Sequence, residues 1–206
     1  MSMKNLFAAV IALVVAHTAA NALAQELETA TFAGGCFWCV ESDFDAIPGV
    51  VKTISGYTGG VGPNPTYKTV SAGGTGYREA VQITFDPNLV SYEQLLTAFW
   101  HSVDPTDAGG QFCDRGESYA TAIFVNDDSQ RQLAESSKRE TEASLGKKIA
   151  TPIEAAKPFF PAEDYHQDYY EKNPLRYRYY RWSCGRNQRV EELWGDKAYT
   201  GIPKHG

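Results

Sequence analysis

Cysteine is scarce in this chain: four in 206 residues, at Cys36, Cys39, Cys113 and Cys184. That is too few for a scaffold held together mainly by disulfides, and a chain of this length buries enough surface to fold without them. Positive charge is also in deficit, with 19 Lys and Arg against 25 Asp and Glu and a formal charge of −6. Such a balance excludes nucleic acid as the main partner. There is no internal repeat and no low-complexity tract, so a solenoid is excluded and one domain is favoured. Long apolar runs are missing, with one exception at the N-terminus. There Lys4, the apolar run 6–16 and the small residues Ala22-Leu23-Ala24 follow the three-part layout of an export signal. The run is too short to span a bilayer comfortably. We therefore expect a signal peptide over 1–24, a single domain over 25–206, and no stable membrane insertion after cleavage. The expected location is outside the cytoplasm, in a bacterial periplasm. A retained N-terminal anchor is the alternative.

Aromatic residues, by contrast, are plentiful: 12 Tyr, 10 Phe and 4 Trp. Period-two alternation predicts strands over 28–33, 50–57, 79–85, 119–125 and 148–155. Helical spacing and caps predict helices over 36–46, 91–103 (Ser91 as N-cap), 128–145 (ended by Gly146) and 164–172. Residues 58–76, rich in Gly, Pro, Asn and Thr, read as a long irregular loop of the kind that carries function. The segment 104–117 and the chain after 172 also read as irregular. The fold class expected is α/β (α+β): a two-layer sandwich with a mixed sheet, a ferredoxin-like β-α-β core, helices packed on it and an irregular C-terminal segment.

The run Gly34-Gly35-Cys36-Phe37-Trp38-Cys39-Val40-Glu41 carries the chemistry. Two glycines allow a sharp turn off the first strand and place Cys36 at a helix start. Backbone N–H groups and the helix dipole favour an anion there, which predicts a lowered thiol pKa and a nucleophilic Cys36. Two stapling disulfides would also use four cysteines, but the Cys36–Cys39 loop is too small to constrain an unfolded chain much. A C-x-x-C pair more often does redox chemistry or binds metal.

The same run resembles the A-type peptide methionine sulfoxide reductases, whose motif is G-C-F-W-x-x-E. The resemblance continues through Gly56-Tyr57-Thr58-Gly59-Gly60, Asn64-Pro65-Thr66-Tyr67, Gly76-Tyr77-Arg78-Glu79-Ala80-Val81, Asp114-Arg115-Gly116 with Tyr119, and Ala162-Glu163-Asp164-Tyr165-His166-Gln167. It runs from about residue 29 to 174, and motifs in this order and spacing are far more specific than a C-x-x-C alone. It implies that Cys36 attacks the sulfoxide sulfur and Glu79 protonates the oxygen. It implies that Tyr67 and Tyr119 hold that oxygen with help from Asp114, and that Phe37 and Trp38 enclose the substrate methyl group. It also implies preference for the S epimer, no bound cofactor or metal, and recycling by an external thioredoxin-like dithiol. The partners expected are oxidised methionine residues in proteins or peptides and a thioredoxin-fold electron donor, with the protein itself a monomer. Taken singly, Glu79 could be a solvated strand acid, Tyr67 and Tyr119 packing residues and Asp114 a turn former.

The sequence departs from the family where the nucleophile is regenerated. Attack leaves a sulfenic acid on Cys36, which a second thiol must resolve. The family often has Gly three residues after the nucleophile, where Cys39 stands, and draws its recycling cysteine from a glycine-rich tail. Here the tail reads Tyr179-Tyr180-Arg181-Trp182-Ser183-Cys184-Gly185-Arg186. Cys184 and Cys39 rank nearly level as resolvers, with Cys113 behind. A four-cysteine zinc site, a thioredoxin-type disulfide exchanger and a binding module for oxidised peptides are the competing readings. The first has only one C-x-x-C pair, and the second would place Trp before the motif rather than inside it.

Overall fold

A computed structural model describes residues 26–203; the expected signal segment 1–24 lies outside the described residues. The first half follows a split β-α-β plan. β1 (Glu28–Ala33) leads to α1 (Phe37–Asp45) and β2 (Val50–Thr58); after a short α2 (Tyr67–Ser71) come β3 (Arg78–Phe85) and α3 (Tyr92–Trp100). The second half contains a small hairpin, β4 (Gly110–Gln111) with β5 (Asp114–Arg115), then β6 (Ala122–Val125), α4 (Asp128–Leu145), β7 (Ile153–Ala155) and β8 (Phe160–Pro161). The chain closes with α5 (Tyr169–Lys172), α6 (Pro174–Ser183) and α7 (Arg186–Trp194). The main sheet has the order β7-β6-β1-β3-β2-β8, with β6–β7 parallel and every other neighbouring pair antiparallel. The central order β6-β1-β3-β2 is the ferredoxin-like core that was expected.

Strand alternation decides what each face carries. Val81, Ile83 and Phe85 of β3 and Ala30 and Phe32 of β1 join the main core with residues of α1 and α3, where Phe32 and Phe99 stack with centroids 5.0 Å apart. Truncating such a ring to Ala costs about 3–5 kcal/mol. Glu79 lies two residues before Val81, so the same alternation puts a carboxyl on the buried face. The opposite face is thinner, with Ala33, Ala80, Ala122 and Phe124 packed beneath Phe159.

Local signals hold where side chains cap the helices. Ser91 accepts from the Gln94 N–H while the Gln94 side chain returns to the Ser91 N–H, and Gly146 ends α4 in the left-handed region. Elsewhere tertiary contacts win. The expected strand 148–155 shrinks to β7 because Ala150 and Thr151 turn their N–H groups to the Pro105 carbonyl. Tyr119 is not in a strand: residues 117–119 form a 3₁₀ turn closed by Ala120 N–H on Glu117 O. The expected helix 164–172 keeps only its last turn, since Asp168 sits at φ 51°. The loop 58–76 contains α2, capped by Thr66. The largest correction is at the C-terminus, which is helical rather than irregular. The buried residues of α6 and α7 are Tyr177, Arg186, Val190 and Trp194. An inner surface that includes buried arginine gives no apolar periodicity to read.

Candidate active site

β1 ends against the Gly34-Gly35 turn, where Gly35 has φ +84° and an added Cβ would lie 2.6 Å from Gln111 Cβ. Only glycine fits. The turn delivers Cys36 as the N-cap of α1, its carbonyl accepting the Cys39 N–H at 3.1 Å. Beside it lies a cavity of about 50 Å³, lined by Cys36, Phe37, Trp38, Tyr67, Glu79, Asp114, Tyr119 and Tyr180. Seven of these eight are the residues singled out in the sequence; Tyr180 is the addition.

Glu79, opposite Tyr57 across the β2–β3 ladder, is buried, and its Oε2 accepts the Phe37 N–H at 3.0 Å. Burial pushes its carboxyl up to about 8, so it is protonated at neutral pH. The Tyr67 and Tyr119 hydroxyls share a hydrogen bond, and burial followed by the nearby Glu79 raises both phenols, which stay neutral donors. Tyr67 is fixed from behind: its backbone N–H donates to Glu163 Oε1 at 2.9 Å, and Tyr57 holds the other oxygen of Glu163 at 2.8 Å. Trp38 is fixed on two sides. Its indole N–H donates to His166 Nδ1 at 3.0 Å and its ring stacks on Tyr169 at 3.7 Å between centroids. Accepting that bond makes the imidazole neutral, and burial lowers its pKa in the same direction. Glu163 and His166 belong to a motif that the sequence marks without assigning roles. They hold the walls of the cavity rather than line it.

Asp114 accepts a hydrogen bond from the Tyr180 hydroxyl, and burial raises its carboxyl. Its neighbour Cys113 is joined by a disulfide to Cys184, the C-cap of α6, across 71 residues of chain. The disulfide ties the β4–β5 hairpin to the helix that brings Tyr180. It also takes two of the four sulfurs out of any four-thiolate metal set in this state. Tyr180 stands four residues before Cys184, on one helix face, a pattern visible only once the tail is read as helix.

The cysteines require a second correction. Cys36 and Cys39 are both reduced and buried. The helix start was expected to lower the Cys36 thiol; instead burial, the Cys39 sulfur and Glu79 raise it. The lowered thiol is Cys39, at about 7: it accepts the Cys36 S–H, a gain that exceeds the cost of burial and is reinforced by Arg186 and Arg181.

A sequence model of the family "Peptide methionine sulfoxide reductase" matches residues 28–198. The chain belongs to that family. It is 56% identical over 181 residues to peptide methionine sulfoxide reductase MsrA 2 of Rhizobium meliloti, covering 88% of this chain and 90% of that protein. It is also 56% identical over 177 residues to MsrA of Bacillus licheniformis, covering 85% and 98%. Among solved structures, reduced Mxr1 from Saccharomyces cerevisiae superposes with a TM-score of 0.68 at 32% identity, over 72% of this chain and 87% of that one.

Proposed function

We propose that residues 25–206 form a single catalytic domain that reduces methionine S-sulfoxide, free or in proteins, through Cys36. The observation that carries this reading is the convergence of one thiol, one protonated carboxyl and three neutral phenols on a single small cavity. Attack of the Cys36 sulfur on the sulfoxide sulfur pushes negative charge onto the oxygen. Donors already in place stabilise that charge without reorganising. Glu79 supplies the proton, Tyr67 and Tyr119 hold the oxygen, and Asp114 orders that end of the site together with Tyr180. Phe37 and Trp38 enclose the methyl group. Methionine leaves, and Cys36 carries the oxygen as a sulfenic acid. The chirality of the cavity makes the reaction epimer-specific. With purified S and R epimers of a methionine sulfoxide peptide, methionine is expected from the S form alone on the same timescale. Equal rates for both epimers would overturn the assignment.

Regeneration needs an outside dithiol, which we assign to a thioredoxin-fold donor. The yeast family member Mxr1 has been crystallised in complex with Trx2. Cys113 is exposed and Cys184 half-buried, so such a partner can reduce their disulfide, and the freed thiols can then pass reducing equivalents by thiol exchange to a buried disulfide formed at Cys36. The working form is a monomer in this reading. Lys4, the apolar run and Ala22-Leu23-Ala24 support export and repair of oxidised proteins in a periplasm. Expressed with its own N-terminus, the secreted protein should begin at Gln25 by N-terminal sequencing. Recovery of uncleaved chain in the membrane fraction would favour the anchor instead.

A further inference from the structure

Two guanidinium groups from the C-terminal helices reach the wall behind the nucleophile. Arg186 is 1% exposed, donates from Nη2 to the Gly34 carbonyl at 3.0 Å and lies 4.8 Å over the Phe112 ring. Its Nε has no hydrogen-bond partner and it makes no ion pair with a carboxylate among the described residues. Arg181 is engaged with Asp43, Nη1 to Oδ1 at 2.8 Å. Asp43 stands four residues after Cys39, one turn along the same face of α1, so Arg181 comes to rest beside that thiol. A buried cation is costly unless an anion compensates it. Two negative groups act on Arg186, the Cys39 sulfur and then Asp43, and Asp43 is already paired with Arg181.

We propose that Arg186, assisted by Arg181, is a positioning residue that holds Cys39 as an anion, and that this anion resolves the sulfenic acid on Cys36. The inference rests on the sulfoxide chemistry assigned to Cys36. The other charged or titratable groups that face Cys39 are Cys36 and Asp43 on α1, Glu79 on β3, and Tyr177 and Tyr180 on α6. Of these, Glu79 and the phenols are neutral at pH 7; the Cys36 S–H donated to the Cys39 sulfur lowers that thiol most, and Arg186 and Arg181 act in the same direction against the opposing Asp43. That direction agrees with the lowered Cys39 thiol.

The step balances within the site. The Cys39 thiolate attacks the Cys36 sulfenic sulfur; the S–S bond forms, the S–O bond breaks, and the departing hydroxide takes one proton from solvent to leave as water. Cys36 sulfur is reduced from the sulfenic level and Cys39 sulfur oxidised, both ending at the disulfide level. The oxidant is the sulfenic acid left by the first half-reaction. Cys39 stands in the first turn of α1 with its N–H on the Cys36 carbonyl, and its sulfur shares a hydrogen bond with the Cys36 sulfur, so attacker and target are neighbours. Cys184 in this state is already bonded to Cys113.

The test uses the full chain with the Cys113–Cys184 disulfide intact. In a Cys36→Ser background, Cys39 is the one thiol left to titrate by ultraviolet thiolate absorbance. Its midpoint is expected below the usual thiol value, held down by Arg186 and Arg181. Adding Arg186→Met should raise it by about one pH unit or more, as loss of a nearby opposite charge does. Arg186→Lys, which keeps the charge, should retain most of the effect. With Cys36 present, Arg186→Met should form methionine normally in its first turnover. Its sulfenic acid, trapped with dimedone at pH 7, should then persist about fivefold longer, in line with the lost thiolate fraction. An unmoved midpoint in folded Arg186→Met overturns the proposal. So does a sulfenic acid that decays as fast in Cys39→Ser as in the parent. If Arg186→Met does not fold, Arg181→Met is titrated instead, and a midpoint that fails to rise overturns the proposal equally. The titration needs no sulfoxide, so its failure is separable from failure of the reductase reading, which would show as absence of methionine.

Discussion

Cys36→Ser is expected to lower single-turnover methionine formation by on the order of 10⁴-fold or more, the scale of loss when a nucleophile is removed. The measurement is methionine released per enzyme, without added reductant, by the variant and the parent under saturating sulfoxide. The prediction discriminates because Cys39 remains, and Cys39 is the thiol with the larger anionic fraction. If thiolate content alone chose the nucleophile, Cys39 would do the chemistry and the variant would retain it. Position argues otherwise: Cys36 lines the cavity with Glu79, Tyr67 and Tyr119, and Cys39 does not. A near-neutral thiol behind the wall cannot reach a sulfur in front of it. Methionine made at the parental rate by Cys36→Ser would transfer the nucleophile to Cys39 and remove the mechanism.

A raised Cys36 thiol is compatible with attack because the two sulfurs share a proton. The Cys36 S–H points to the Cys39 sulfur, so transfer along that hydrogen bond makes the Cys36 anion without involving bulk water. Arg186 and Arg181 favour one negative charge on the pair, and the substrate decides which sulfur uses it. The resting charge sits on the inner sulfur, away from the cavity, where oxidants that cause over-oxidation have least access.

Much of this site is legible from the chain, for reasons particular to each residue. Gly35 and Cys36 announce themselves because a left-handed turn against Gln111 tolerates no side chain. Glu79 can be placed because strand alternation ties its face to that of Val81 and Ile83. Tyr67, Tyr119 and Asp114 were found by resemblance alone; their local structures were misread, Tyr119 as strand and Tyr67 as loop. The Tyr67 backbone is tied by a contact distant in sequence, its N–H on Glu163, while Tyr119 sits in a 3₁₀ turn closed by Ala120 N–H on Glu117 O, which no alternation of side chains announces. Tyr180, Arg181 and Arg186 were missed because the tail's packed surface is written in Tyr and Arg, and a hydrophobic pattern is blind to charge buried against charge. The expectation of a low Cys36 thiol failed for a related reason. The helix start favours an anion, but burial and the Cys39 sulfur oppose it, and neither is visible in a string of letters.

Glu79→Gln is expected to move rate and stability in opposite directions. The amide keeps hydrogen-bond donors but has no proton to release, so the chemical step should slow by roughly 10²–10⁴-fold. In the parent, that step should weaken as pH rises through about 8, where Glu79 loses its proton. In the variant that limb should vanish. The sign for stability follows from linkage. The folded state holds the Glu79 proton to about 8, whereas the unfolded chain releases it near 4.5. Between those values the folded state binds more protons than the unfolded one, so raising pH across that window costs stability, and the full cost is present above about 8. Glutamine carries no such penalty. The variant should therefore melt higher than the parent at pH 8 and above, and the advantage should shrink towards pH 4.5. Single-turnover rates and thermal melts across the same pH series check both halves. A parent rate flat through pH 8, together with a variant that melts no higher than the parent, would mean that Glu79 is ionised at neutral pH and is not the proton donor.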